Sequence, residues 1–274
     1  MKCLILVMAF CICFRAEAAF EKSARGSAET SLGGASAALA ENPWSGLSNP
    51  ATLLTLTHRT VSASLVPRMF GLKELEHVAF IYVEPTSIGL FALSGSRFGF
   101  ALYREIVVGV SYSARVSEKL VVGVTSNCFS LSIERYGSDR TIGIDAGAVV
   151  ELALDLRWGF AAHNLNRPVA GRLSEKLPQV LITGVEYRPV ERMLIAADMV
   201  KDIRYPVELH LGVQYEVLDA LHLRSGTSLE PSLVTGGFGL LYPPIELDYA
   251  FSLHAVLGIT HQMSVTISLE DFLP

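Results

Sequence analysis

The chain has 274 residues, half of them apolar, a formal net charge of −5 and four cysteines, with a mean hydropathy of +0.39. No basic stripe runs along it, so nucleic acid is not an expected partner. Beyond residue 18 no apolar run approaches the ~20 residues of a membrane helix, so the hydropathy must be spread over alternating positions, as in a transmembrane barrel.

Met1-Lys2 is a short basic start, Cys3 to Phe14 is continuously apolar, and Ala16 and Ala18 form an A-x-A pattern. This order predicts a signal peptide over residues 1–18, cleaved after Ala18. Cleavage removes Cys3, Cys11 and Cys13 and leaves Cys128, so no internal disulfide is expected. Cys128 reads as a small buried apolar residue.

Residues 19–56 read as a plug segment. Thr30 to Leu54 is dense in Gly, Ala and Ser, which lets backbones approach closely in a confined space. Ala35 to Glu41 is predicted as a short helix, because Ala and Leu are strong helix formers. Pro43 should stop it, and Asn49-Pro50 should begin a second turn or short helix. Irregular backbone at membrane depth is tolerated only inside protein or a water-filled cavity, which a barrel lumen supplies. Arg25 is expected to pair with a carboxylate of the wall. A periplasmic arm is the alternative reading of this segment.

Residues 57–274 carry the strand signal. Val207 to Val217 alternates strictly, with Leu209, Leu211, Val213 and Tyr215 on one face and Glu208, His210, Gly212 and Gln214 on the other. The same pattern recurs over Leu154–Phe160, Leu247–Leu253 and Met263–Leu269, and more weakly over Ile106–Ser113, Leu120–Arg135 and Leu181–Tyr187. Turn signals stand at Tyr136–Asp139, Arg188–Glu191, Glu230–Ser232 and Tyr242–Pro244. Asn164 to Lys176 is the widest gap and reads as an external loop. A secreted sandwich would crowd its polar face with charge; here that face is rich in Gly, Ala, Ser and Thr, as in Thr141–Val150. The predicted fold is all-β, a transmembrane antiparallel β-barrel of about 14 strands with a short N-terminal helical plug. Alternation places Arg157, Glu208, His210, Gln214, His222, Arg224, Asp248, Ser252 and His254 toward the lumen. Among these, Asp248, Arg224 and Glu208 are expected to neutralise one another and hold the plug. Leu211 and Phe251 should face lipid.

Reactive chemistry is not signalled. There is no G-x-S-x-G, P-loop, G-x-G-x-x-G or H-E-x-x-H, and the seven histidines are scattered. No catalytic, cofactor or metal residues are expected, and the protein reads as a non-enzyme.

Arg25, Leu32-Gly33-Gly34-Ala35, Ala38, and Asn49-Pro50-Ala51 with Leu53 resemble the N-terminal signature of the PorV/PorQ family of FadL-like barrels. Phe160 to Leu165, Leu177-Pro178, Gly184 to Pro189, Leu221 to Gly226, Leu247 to Phe251, Leu257-Gly258, Thr260-His261 and Ser264 extend the likeness. The Leu32-Gly33-Gly34 form leans toward PorQ. The resemblance implies an outer-membrane location and an accessory or docking role in type IX-like protein secretion, with outer-membrane lipid and secretion-machinery or surface proteins as partners. The alternative it implies is a FadL-like channel whose partners are hydrophobic small molecules. Lateral openings beside an apolar pocket would favour that alternative. Such barrels commonly end on an aromatic residue; this chain ends Phe272-Leu273-Pro274, and Phe272 reads as that aromatic displaced.

Overall fold

The computed structural model describes residues 19–20, 24–171 and 175–269. The predicted signal and Phe272 lie outside them. Helices α1 (Ser27–Ser31) and α2 (Ser45–Ser48) and a 3-10 turn over Pro50–Thr55 come first. Strands β1 (Thr60–Val66), β2 (His77–Thr86), β3 (Gly89–Gly99), β4 (Tyr103–Arg115), β5 (Leu120–Ile133), β6 (Gly137–Ala153) and β7 (Leu156–His163) follow. A small hairpin, β8 (Val169–Ala170) and β9 (Glu175–Lys176), interrupts the wall. The series then resumes with β10 (Val180–Val190), β11 (Met193–Asp202), β12 (Glu208–Leu218), β13 (Leu221–Leu229), β14 (Leu233–Tyr242), β15 (Ile245–His254) and β16 (Gly258–Ser268). Fourteen of these strands form one closed antiparallel barrel, each beside its neighbour in sequence, and β1 pairs with β16 to shut it. No helix is long and apolar enough to cross a membrane.

The two ends of the barrel differ. Two-residue turns join β2 to β3, β6 to β7, β10 to β11, β12 to β13 and β14 to β15, whereas the opposite end carries residues 67–76, 164–179 and 203–207 as longer connections. Outer-membrane barrels keep short turns on the periplasmic side, which orients the molecule. Among the described residues, each barrel pair keeps one register along its length except for shifts at Glu151/Ala153, Tyr187/Val190 and Glu216/Leu218, all at the short-turn end. The ladder is interrupted beside β7: its pairing with β6 stops at Ala146/Ala162, and beyond it the outer half of β6 meets residues 164–166, which bond to Ile142 and Ile144.

The outer surface is apolar: Leu209, Leu211, Val213 and Tyr215 are all exposed along β12. Two expectations change here. Cys128 is exposed on the outer face of β5, not buried; lipid receives a small apolar side chain as readily as a core does. The turn signalled at Tyr136–Asp139 falls over residues 134–136, with Arg135 and Gly137 both at positive φ. A three-residue hairpin loop needs such a left-handed position near its end, and Gly137 supplies it at no steric cost.

Inside, the N-terminal segment fills the lumen. Trp44 and Leu53 pack against Ala79, Ile81 and Val83 of β2 and Leu90 and Ala92 of β3. Toward the short-turn end these two strands are apolar on both faces, because there their inner face meets the plug.

Candidate functional site

The wall holds the plug with buried polar groups. Asp198 Oδ2 accepts from the Ser36 and Ala37 amides at 2.6 and 2.8 Å. Glu186 accepts from the Ala40 amide at 2.7 Å with one oxygen, and from Arg157 and Arg188 at 3.3 and 2.9 Å with the other. These bonds explain why Ala35–Glu41 is not the helix its composition predicts: it is turn and extended backbone. Three of its amide donors are taken by wall carboxylates, and a charge-assisted bond outweighs a propensity of a few tenths of a kcal/mol.

Asn49 sets the next corner. Its side-chain oxygen accepts from the Ala51 amide at 3.1 Å, and its side-chain nitrogen donates to the Ala37 and Ala148 carbonyls at 2.6 and 3.1 Å. Pro50 opens the 3-10 turn, where a missing N–H costs nothing. A methyl at Gly147 would collide with Asn49 Oδ1. Across the lumen, Gly33 (φ +71°) donates to Thr235 Oγ1 at 3.0 Å, and the buried Leu32 lies against Gly212. Trp44 Nε1 donates to Ser62 at 2.8 Å.

Arg25 departs from its expected role. Its carbonyl accepts from Ser64 and Gln262 at 3.2 and 2.6 Å. Its guanidinium lies against Gly34, whose added methyl would also stand 3.2 Å from His210 Nδ1. No carboxylate lies within ion-pair distance of it among the described residues. Glu29, one helical turn on, is wholly buried with neither oxygen hydrogen-bonded among those residues. Burial pushes its carboxyl up to about 8, against the opposing charge of Arg25.

The remaining polar residues divide into three groups. Glu208 and His210 meet at 3.3 Å beside the plug. Arg224 gathers Gln214 (2.6 Å), Asp248 and Glu246 (3.4 Å) on the short-turn side, so its partners are Asp248 and Glu246 and not Glu208. His222 faces Glu216 at 3.3 Å nearby. His254 sits at the outer rim, where its Nδ1 accepts from the Val256 and Leu257 amides at 3.1 and 3.2 Å.

Above the plug, on the long-loop side, lies a cavity of about 450 Å³. Phe129, Val180, Ile182, Val200 and Leu233 give it apolar sides; Arg25, Gly33 and Ser48 of the plug form its floor. Polar groups border it on several sides: Glu208 and His210 of β12, Ser64 and Gln262 at the β1/β16 seam, and a cluster around Asp145. Asp145 accepts from Asn127 at 2.7 Å and from the Asn164 amide at 2.8 Å, and faces His163 Nδ1 at 3.0 Å. His163 Nε2 lies 2.9 Å from the Ser48 carbonyl, which ties the cluster to the plug. Glu29, Asp145, His163, Glu186 and Asp198 escaped the sequence reading. Asp145, Glu186 and Asp198 stand singly within strand segments, and nothing local marks them as plug anchors. Among the described residues no group of His, Cys, Asp and Glu could hold a metal ion.

No family model and no curated protein sequence matches the chain. Solved structures do. The toluene transporter TbuX of Ralstonia pickettii aligns with a TM-score of 0.67 at 15% identity, over 88% of this chain and 96% of that one. The toluene transporter TodX of Pseudomonas putida gives 0.65 at 14% identity, over 91% and 98%. A FadL homologue of Pseudomonas aeruginosa gives 0.60 at 13%, over 90% and 98%. At such identities the likeness establishes the fold alone, a closed barrel of 14 strands shared with these proteins. The PorV/PorQ resemblance finds no support in these comparisons.

Proposed function

We propose that the chain is an outer-membrane channel that admits hydrophobic small molecules, and that it reaches that membrane after loss of residues 1–18. The observation that carries this reading is the cavity of about 450 Å³, with Phe129, Val180, Ile182, Val200 and Leu233 among polar side chains in its wall, long-loop residues such as Phe70 at its top and the plug as its floor. Ligand pockets of this kind combine apolar walls with a few polar groups that fix orientation. The neighbours in fold are transporters of toluene and a channel for monoaromatic hydrocarbons, and a solute of that size fits the space. Strand pairing between β6 and β7 ends beside the cavity, at Ala146/Ala162, and along the barrel axis the barrier a solute meets is the plug. The docking role in secretion has less behind it: four of the connections at the long-loop end, residues 100–102, 134–136, 230–232 and 255–257, have three residues each and make little surface for a large cargo.

The test is uptake by cells that express the chain, measured with radiolabelled toluene and with a hydrophilic sugar of similar mass. The intact chain should speed toluene entry severalfold and leave sugar entry unchanged. A form lacking residues 25–49 should admit both. Unchanged toluene entry from a protein that fractionates with outer membranes would reject the channel and return weight to docking.

A further inference from the structure

The outer mouth of the barrel holds a buried carboxylate whose partners are unusual. Glu105 is the third residue of β4, only 6% exposed. It accepts from the backbone amide of Phe20 at 3.0 Å and from the hydroxyl of Tyr103. No cationic side chain lies within ion-pair distance of it among the described residues. Buried carboxylates ordinarily need a charged partner, since leaving one unpaired in a dry site is costly.

Phe20 is itself seated. It is 9% exposed, meets Phe129 edge-on at 5.0 Å, and packs with Ala170 and Leu177; Ala19 lies against the same cluster. The backbone at Ala19–Phe20 is thus fixed at the outer end of the lumen, above the cavity.

The predicted cleavage site falls one residue before this seat, and from that juxtaposition we infer that Glu105 is the binding site for the α-ammonium group which signal removal creates on Ala19. Consecutive Cα atoms are 3.8 Å apart, so the Ala19 nitrogen lies within roughly 4 Å of the Phe20 nitrogen. With the Phe20 amide 3.0 Å from Glu105 Oε1, the Ala19 nitrogen starts within roughly 7 Å of that oxygen. A peptide-linked Ala19 has no charge to offer; a freed one supplies the missing cation. Hydrolysis of the Ala18–Ala19 bond by water yields a carboxylate on the departing leader and the ammonium that stays. Processing therefore completes the packing of the outer mouth, with Phe20 in the wall of the cavity and Ala19 packed behind it.

The experiment uses the full-length chain expressed and purified from outer membranes. Intact mass gives its first residue, which should be Ala19; any other mature start overturns the inference. The folded protein is then treated with a limiting amine-acylating reagent at neutral pH, and the N-terminal peptide is quantified by mass spectrometry. A free α-amine has a pKa near 7.7–8.0, and a carboxylate in contact raises it by a unit or more, so acylation of the wild type should run roughly tenfold slower than of the same protein unfolded in urea. Glu105→Gln keeps the hydrogen-bonding shape and removes the charge; it should restore most of the lost reactivity. Equal rates in folded and unfolded wild type overturn the proposal, whether or not the variant folds. Equal protection in wild type and folded Glu105→Gln also overturns it, because burial alone would then account for the slow reaction.

Discussion

Replacing Glu29 by Gln should remove a pH dependence from the docking of the plug. Glu29 has no exposed surface, and its carboxyl is raised from 4.5 to about 8 by burial. Below pH 4.5 the acid is protonated whether the plug is docked or released, and it contributes nothing. Between 4.5 and 8 a released plug gives up the proton and a docked one keeps it, so docking weakens by about 1.4 kcal/mol for each pH unit. Over the whole window the loss approaches roughly 5 kcal/mol as an upper bound, and above pH 8 it levels off. Arg25 and Asp198 are the charges that bear on this acid, and both remain in the variant. The measurement is the temperature at which the heat-modifiable band is lost, with protease cleavage within residues 24–56, at pH 5, 6.5, 8 and 9.5. Wild type should lose thermal stability and protease resistance steadily between pH 5 and 8, and Glu29→Gln should show a clearly shallower slope. A variant that keeps the wild-type slope would mean that some other group titrates, and the account of Glu29 would be wrong.

Three further outcomes are expected. Leu211→Arg puts a charge on the lipid face at a cost of about 2–4 kcal/mol near the membrane midplane, whereas Gln214→Arg faces the lumen; the fraction of folded, heat-modifiable protein should fall sharply only in the first. Asn49→Ala strips two buried carbonyls and one amide of their partner, so the plug should lose at least about 2 kcal/mol and single-channel recordings should show frequent openings. Gly159→Ala drives a methyl into the Ala37 carbonyl, and should raise the basal conductance without lowering the yield of inserted barrel.

The legible strands were those with two unlike environments. β12, β15 and β16 meet lipid on one side and polar lumen on the other, so their period of two is visible in the sequence. β2 and β3 meet lipid outside and Trp44 and Leu53 inside, so HVAFIYV and GLFAL carry no alternation and are ambiguous when read locally. The closed barrel of 14 strands was readable all the same, because each strand is a neighbour of the next in sequence. Helix propensity misplaced the plug helices for a different reason. What decides the path of residues 35–41 is a pair of carboxylates, Asp198 and Glu186, about 150 residues downstream in a wall that local sequence cannot bring near. Arg224 shows the same limit: its polar face followed from alternation, but its partner Glu246 depended on the register between β13, β14 and β15. The cavity is legible from no single segment, since it is the space left between strands and plug.

The carbonyl of Arg25 accepts from Ser64 on β1 and from Gln262 on β16, and Gln262 also donates to Ser64 at 2.8 Å. These are the two strands that must find each other last, since one begins the wall and the other ends it. A plug docked on β1 before the seam shuts fixes one edge of the wall. The final strand then arrives at an edge already marked by a fixed acceptor at a defined height. Read this way, the plug is a mandrel for biogenesis: it sets the circumference around which the sheet is wound and the register at which the last seam closes. A barrel made without it has to find that register by strand pairing alone, and should close more slowly and with more misaligned product.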